Sequence, residues 1–255
     1  MEPQHFLALL RLIKDDAIFC NNSVVPQIHP RYQLAVLLFR LGNPGGISHE
    51  DTSTCLHLAE GTVSLYSNRT LRALHRLKSR LILWPEPEER KEISRRIAEK
   101  SKGIFQDVVG FIDGTYITLK YTPMHDYFYY FNRKYTYGLN ATVVCDDRRR
   151  ILWSRAGDTS AVHDARIFSR SNLSQESDKF FSRFEYLLGD SAYTPAANIV
   201  TPIKKPRASH DEEAQFKASL SSQRVVIEHT FGQLKARFPY LTSDDKSHRQ
   251  VVEWV

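Results

Sequence analysis

Val108-Val109-Gly110-Phe111-Ile112-Asp113-Gly114-Thr115 is a charge-free apolar run closed by an acid and a glycine. Its length and its β-branched and aromatic content predict a short buried strand ending at Asp113. Gly114 predicts a tight turn, with Tyr116 to Lys120 resuming the strand beyond it. The arrangement recurs downstream, where Tyr186-Leu187-Leu188 reads as a strand and Gly189-Asp190 follows it directly. A third acid, Glu228, lies in Val226-Ile227-Glu228-His229-Thr230-Phe231-Gly232, inside a helical pattern. Folding can bring acids at two strand ends and on a helix together, and once together they repel. A divalent cation relieves that repulsion, because carboxylate oxygens are hard ligands suited to Mg²⁺ or Mn²⁺. Two such ions could clamp the attacking and leaving oxygens of a phosphodiester. Each acid alone also has a plain reading: a turn Asp after a strand, or a surface pair of Arg224 with Glu228.

Around these strands the period is that of a mixed α/β domain. Tyr135 to Cys145 alternates, with Tyr135, Tyr137, Leu139, Ala141, Val143 and Cys145 on one expected face. Asp146 to Arg149 predicts a turn and Ile151 to Ser154 a returning strand. A helix is expected over His163 to Phe168, with Ser160 as cap or Asp164 as first-turn acid. A long helix follows over Glu212 to Arg237. Its apolar face is Phe216, Leu220, Ile227, Phe231 and Leu234, and Glu228 lies beside that face with Arg224, Gly232 and Lys235. The order β-β-β-α-β-α is that of a ribonuclease-H-like core.

Upstream the pattern is helical. Leu34, Leu37, Leu38 and Leu41 recur at helical spacing before Gly42-Asn43-Pro44-Gly45-Gly46 breaks the chain. Ser48 with Asp51 resembles a capping pair for a short helix reaching about Leu58. A further helix is expected from Thr62, with Val63, Tyr66, Leu71, Leu74 and Leu77 inward. The pair forms a helix-turn-helix pattern whose second member carries Arg69, Arg72 and Arg76 with no acid from Gly61 to Arg80. A small bundle with solvated arginines fits the same pattern. Trp84-Pro85-Glu86-Pro87 reads as the joint, and Glu88 to Lys100 as a charged, solvated linker helix. The expected division is residues 1–84 helical, 85–102 linker and 103–255 catalytic.

The 255 residues carry a formal charge of +6, with 42% hydrophobic and 25% charged residues. That balance suits a soluble domain with a polyanionic partner. Cys20, Cys55 and Cys145 are scattered, which implies neither a zinc cluster nor a disulfide framework. No apolar run approaches the roughly 18–20 residues of a membrane span, so an intracellular protein without a membrane partner is expected. Arg133 and Lys134 follow the aromatic run Tyr127 to Phe131. They could meet phosphate while the tyrosines stack on unpaired bases, or the run could be a packed aromatic cluster. Lys204-Lys205-Pro206-Arg207 resembles a nuclear-import signal.

Five ordered blocks resemble those of PIF/Harbinger-type transposases and the nucleases derived from them. They are Ile112 to Thr115, Asn132 to Tyr135, Ala161 to Phe168, Gly189 to Tyr193, and Val226 to Pro239. The resemblance runs from about Gly103 to Tyr240, and Ala192 departs from it at a position where glycine is common. It implies a ribonuclease-H-like DDE endonuclease fold with an N-terminal helix-turn-helix. It implies catalytic acids at Asp113, Asp190 and Glu228, and a metal site of Asp113, Asp164, Asp190 and Glu228 for Mg²⁺ or Mn²⁺. It further implies DNA as substrate, for which the charge pattern itself offers Arg69, Arg72, Arg76, Arg133, Lys134 and Lys235 as candidate contacts. Action in the nucleus, a separate Myb-like DNA-binding partner and homo-oligomerisation follow from it too. The end at Val255, soon after the Glu228 helix, is expected to mark either a shortened copy or an imperfect gene model. The alternatives are a catalytically inactive DNA-binding protein using the helix-turn-helix, a decayed copy without a stable fold, and a phosphatase or ribonuclease with the same metal chemistry.

Overall fold

The computed structural model describes residues 1–21, 23–43, 47–119, 121–202 and 211–242. The chain divides into two compact units, Met1–Leu81 with the described residues from Lys235 onward, and Ile82–Leu234. The boundary falls before the expected joint because Trp84 belongs to the second unit. Its indole N–H donates to the Phe180 carbonyl at 2.6 Å, and its rings meet Phe180 and Phe181 edge-on.

The first unit is helical: α1 (Pro3–Ile13), α2 (Pro30–Leu41), α3 (His49–Leu56) and α4 (Glu60–Arg76). Leu10, Ile13, Phe19, Leu34, Ala73 and Leu77 form its core. Ser48 caps α3 as expected, its Oγ accepting from Asp51 N at 2.9 Å. The break before α4 falls earlier than expected, at His57, which takes a left-handed φ of 52°. The inward face of α4 also differs from the sequence reading. Val63, Ser67, Thr70 and Ala73 are buried, whereas Tyr66, Leu71 and Leu74 are half-buried. Small side chains let α2 approach closely enough for buried Arg40 to donate to Ser67 Oγ at 2.9 Å. Pro44 to Gly46, within the expected chain break, lies outside the described residues.

The second unit is built on a five-stranded mixed sheet: β1 (Val108–Thr118), β2 (Gly138–Cys145), β3 (Ile151–Thr159), β4 (Tyr186–Leu188) and β5 (Ile199–Val200). Their order is β3-β2-β1-β4-β5. β1 pairs antiparallel with β2 and parallel with β4. This is the mixed α/β arrangement expected of a ribonuclease-H-like core. Two expectations need correction. Gly114 makes no turn, and β1 runs straight through it to Thr118. β2 is buried at every position rather than on alternate ones, because its neighbours in the sheet and layers on both faces enclose it. β5 is too short to have carried a pattern.

The charged helix Pro87–Lys100 is not a solvated linker. Ile93 and Ile97 are fully buried in the sheet core. Buried Arg90 donates to Glu185 at 2.7 Å, to the Pro85 carbonyl and to Ser182 Oγ. Two isoleucines four residues apart supply a narrow apolar stripe that the surrounding charges obscure in the sequence. The long helix Asp211–Arg237 covers one sheet face through Leu220, Ile227 and Phe231, and Thr230 Oγ1 lies 3.5 Å from Cys145 Sγ.

Candidate nuclease site

Strand register places the first two acids. Phe111 lies beside Leu188 in the parallel β1–β4 pair, so two residues further along each chain Asp113 and Asp190 stand level. In the β1–β2 pair Asp113 faces Val143 and Gly114 faces Thr142. Alternation therefore turns Asp113 toward the face covered by the long helix, and Gly114 toward the other. Asp190 is held by its own turn, its Oδ1 accepting from Ala192 N at 2.8 Å.

Asp164 reaches the site from the Gly114 face, at the start of the helix Asp164–Ser169. A Cβ built on Gly114 would lie 2.5 Å from Asp164 Oδ1. The glycine is thus required by a close approach, not by a turn. Asn140 on β2 orients the same oxygen, its Nδ2 donating at 2.7 Å. Asp164 is the first-turn acid, as expected, whereas Ser160 does not cap the helix; His163 takes the N-cap position and is exposed.

Electrostatics joins the three aspartates. Burial pushes the Asp113 carboxyl up to about 6; Arg224 pulls it down, while Asp190 and Asp164 push it up. Burial likewise raises Asp164, opposed by its Asn140 bond, reinforced by Asp190, and eased by Arg133 and His163. Buried Tyr193 lies within the field of all three acids, and burial with their charge raises its phenol well above its ordinary value. Its hydroxyl therefore stays protonated. Tyr193 Oη and Thr142 Oγ1 are buried with only one another for a partner, and Asn140 Oδ1 is buried without one.

Glu228 is placed differently. It is exposed, one turn beyond Arg224, and Arg224 takes the inner position, its Nη2 lying 3.1 Å from Asp113 Oδ2. The surface pairing of Arg224 with Glu228 is thereby replaced by an inward pair with Asp113. Gly232 has nothing within 4 Å of a would-be Cβ, so no close protein approach explains it. Among the described residues no three His, Cys, Asp or Glu groups converge at metal-holding distance.

The family profile of DDE superfamily endonucleases matches residues 112–255, a span that contains all four acids. The chain belongs to the DDE superfamily endonucleases. It is 27% identical over 199 residues to the putative nuclease HARBI1 of Bos taurus, covering 78% of this chain and 53% of that protein. The Homo sapiens protein of that name is 27% identical over 201 residues with the same coverage, and the Xenopus laevis one 24% over 199. The chain thus spans about half the length of the curated relatives it matches. No solved structure matches significantly.

DDE superfamily endonucleases use divalent metals, and the donor chemistry fits such an ion. The acids, Asn140 Oδ1 and the Thr142 and Tyr193 hydroxyls around them are oxygens, as a hard cation prefers, while Arg224 Nε is a buried nitrogen at the same place without a partner. Arg224 is the guanidinium bonded to Asp113. Pattern reading passed over Arg224 in this role, and also Asn140 and Tyr193. The signal for Asn140 was present: Asn140 and Thr142 are polar residues two apart in a strand otherwise apolar after Gly138.

The candidate DNA contacts are dispersed. Arg72 is exposed and Arg69 half-buried on α4, and Arg76 pairs with Asp16. Arg133 and Lys134 are exposed on the second unit. Lys235 is half-buried near the end of the long helix. Residues 204–207, the expected import signal, lie outside the described residues.

Proposed function

We propose that this protein is a divalent-metal-dependent DNA endonuclease of the transposase type, with Asp113, Asp190 and Glu228 as its catalytic acids. The observation that carries the reading is the gathering of Asp113, Asp164 and Asp190 at one end of the sheet, where burial and the neighbouring acids disfavour the charged forms of Asp113 and Asp164. Those three aspartates with Glu228 would hold Mg²⁺ or Mn²⁺. Bound there, such ions would supply a lowered pKa for an attacking water and charge stabilisation for the departing 3′ oxygen.

The chain's own residues prepare that chemistry. Asn140 fixes the Asp164 carboxylate, and Gly114 leaves the space it occupies. Tyr193 keeps its proton and offers a neutral donor beside the acids. Arg224 neutralises Asp113 when no cation does so. The exposed arginines of α4, after the turn at His57, support duplex binding by a helix-turn-helix. On this reading the chain acts in the nucleus. A Myb-like partner and self-association would supply target choice there.

A second reading, DNA binding without cleavage, draws on the exposed position of Glu228. Incubating the protein with supercoiled DNA and Mg²⁺ or Mn²⁺ separates the two. Nicking lost in Asp190→Ala and Asp113→Ala, with DNA binding retained, is the expected result. Wild-type nicking in Asp190→Ala would remove Asp190 from the site, and no nicking by the wild type would favour the second reading.

A further inference from the structure

The strongest unexplained surface of the second unit is aromatic. Tyr127, Phe128, Tyr129 and Phe131 are exposed on and after the one-turn helix Tyr127–Tyr130, and Tyr135 is 83% exposed. The rings lean on one another, Phe128 on Tyr129 at 4.3 Å between centroids and Phe131 on Tyr135 and Tyr137 at 6.2 and 5.3 Å. Yet each of the five keeps 42% or more of its surface in water, which is costly for so many on one short segment. The segment is not loose. Asn132 is buried and knots the loop: its Oδ1 accepts from Lys134 N at 2.9 Å, and its N–H reaches the Thr136 carbonyl at 2.9 Å. Phe131 bridges Tyr137 across that knot.

Tyr135 adopts a φ of 61°. A bulky residue in that left-handed region is strained, where glycine or asparagine would sit easily. The chain therefore presents an exposed ring at a position where a turn alone would favour a smaller residue.

The segment is tied to the acid cluster. Ala161 N donates to the Tyr129 carbonyl at 3.0 Å, and Ser160 Oγ donates to the Tyr130 carbonyl at 2.5 Å. Asp164 follows three residues after Ala161, and the charge of Arg133 is felt at its carboxylate. From Tyr127 to Cys145 the sequence has Arg133 and Lys134 and no acid.

We infer that this segment is a stacking platform for unpaired nucleotides of the DNA strand, with Phe128 and Tyr135 offering ring faces and Arg133 and Lys134 meeting phosphates. The inference rests on the nuclease reading for its place beside a cut, not for its binding. Paired bases in a duplex are already stacked on one another and offer these rings no face. Unpaired bases do, and each ring–base stack is worth about 1–3 kcal/mol. Exposed Arg133 and Lys134 among the rings favour a polyanion over an apolar protein partner.

The test is fluorescence anisotropy with the full chain in EDTA, so that cleavage plays no part. The probes are a labelled single-stranded oligonucleotide of about ten nucleotides and the same sequence as duplex. Tyr135→Asn relieves the backbone while removing the ring. It should weaken single-strand binding by about 5- to 150-fold, leave duplex binding nearly unchanged, and not lower Tm. Tyr135→Phe should retain binding, and Phe128→Ala should weaken it as Tyr135→Asn does. Equal losses on both probes, no loss on either, or a fall in Tm that accounts for the loss would overturn the platform. A wild type that binds the single strand in this way and never cleaves would overturn the nuclease reading and leave the platform standing.

Discussion

Arg224 Nη2 lies 3.1 Å from Asp113 Oδ2, with the two side chains 14% and 18% exposed. The pair joins the long helix to the central strand at the point where three aspartates share a field. Removing one partner of so enclosed a pair leaves the other charge uncompensated. Arg224→Met is expected to destabilise the metal-free protein by about 1–3 kcal/mol at pH 7. Mg²⁺ or Mn²⁺ should then raise Tm more in the variant than in the wild type, because the cation meets no competing guanidinium. Thermal melts with and without the ion measure both effects, and equal ion-induced shifts in the two proteins would count against a shared position.

A second expectation concerns pH. Asp113 holds its proton up to about pH 6 in the folded chain, against an ordinary value of 3.8. Between those values the folded state binds a proton that the unfolded state has lost. Stability therefore falls as pH rises through this window. The penalty is absent below about pH 4 and complete above about pH 6, where it amounts to roughly 3 kcal/mol. Asp164 shifts in the same direction. In EDTA, the stability of Asp113→Asn relative to the wild type should be higher at pH 7 than at pH 4, on top of a cost at both pH values from leaving Arg224 without its partner. If the two Tm profiles ran parallel across that range, burial of Asp113 would not be the source of the strain.

Gly114→Ala tests the approach of Asp164 to the strand. The new methyl would sit 2.5 Å from Asp164 Oδ1 and 3.4 Å from Asn140 Oδ1. One of the two side chains must move, and overpacking of this kind costs about 1–3 kcal/mol. Because the helix Asp164–Ser169 begins at that carboxylate, the loss should be larger in metal-dependent nicking than in stability. Full nicking with a normal Tm would show that Asp164 need not stay where the structure holds it.

The sequence disclosed those features of the fold whose signal is local. An apolar run followed by an acid marked both Asp113 and Asp190, and the apolar stripe of the long helix placed Glu228 beside, not within, the buried face. What stayed hidden depends on distant partners. Nothing near Gly114 shows that an aspartate fifty residues away will lie on it, so a strand glycine reads as a turn. Arg224 and Glu228 share a helix stripe and invite a local pair, and only the sheet decides that Arg224 turns to Asp113. The Pro87–Lys100 helix looks solvated because its charges outnumber Ile93 and Ile97, yet Arg90 finds its carboxylate in Glu185, far along the chain.

That helix supplies the next expectation. Ile97 is fully buried in the sheet core, and truncating such a side chain costs about 2–5 kcal/mol. Arg90→Met would strand the Glu185 carboxylate, at a cost of about 3–5 kcal/mol. Surface changes on the same helix, such as Lys91→Ala, should fall within about 0.5 kcal/mol. Chemical denaturation of the three variants checks the ranking. Equal and small effects would return the helix to the role of a linker.

The arginines of α4 can be separated by their partners. Arg76 pairs with Asp16, which also accepts from Ile18 N at 2.9 Å and so caps the Ala17–Phe19 turn. Arg72 is exposed, and Arg69 half-buried. If α4 meets the phosphate backbone, each arginine free to do so releases counterions and steepens the salt dependence of binding. The double variant Arg69→Ala/Arg72→Ala should weaken duplex binding for all sequences and flatten the slope of log K against log salt by about 1–2. Arg76→Ala should change that slope less while lowering Tm, because its guanidinium is already engaged within the helical unit. Anisotropy titrations at several salt concentrations read out both. A slope unchanged by the double variant would leave α4 as a bundle helix with solvated charges and move duplex binding to another surface.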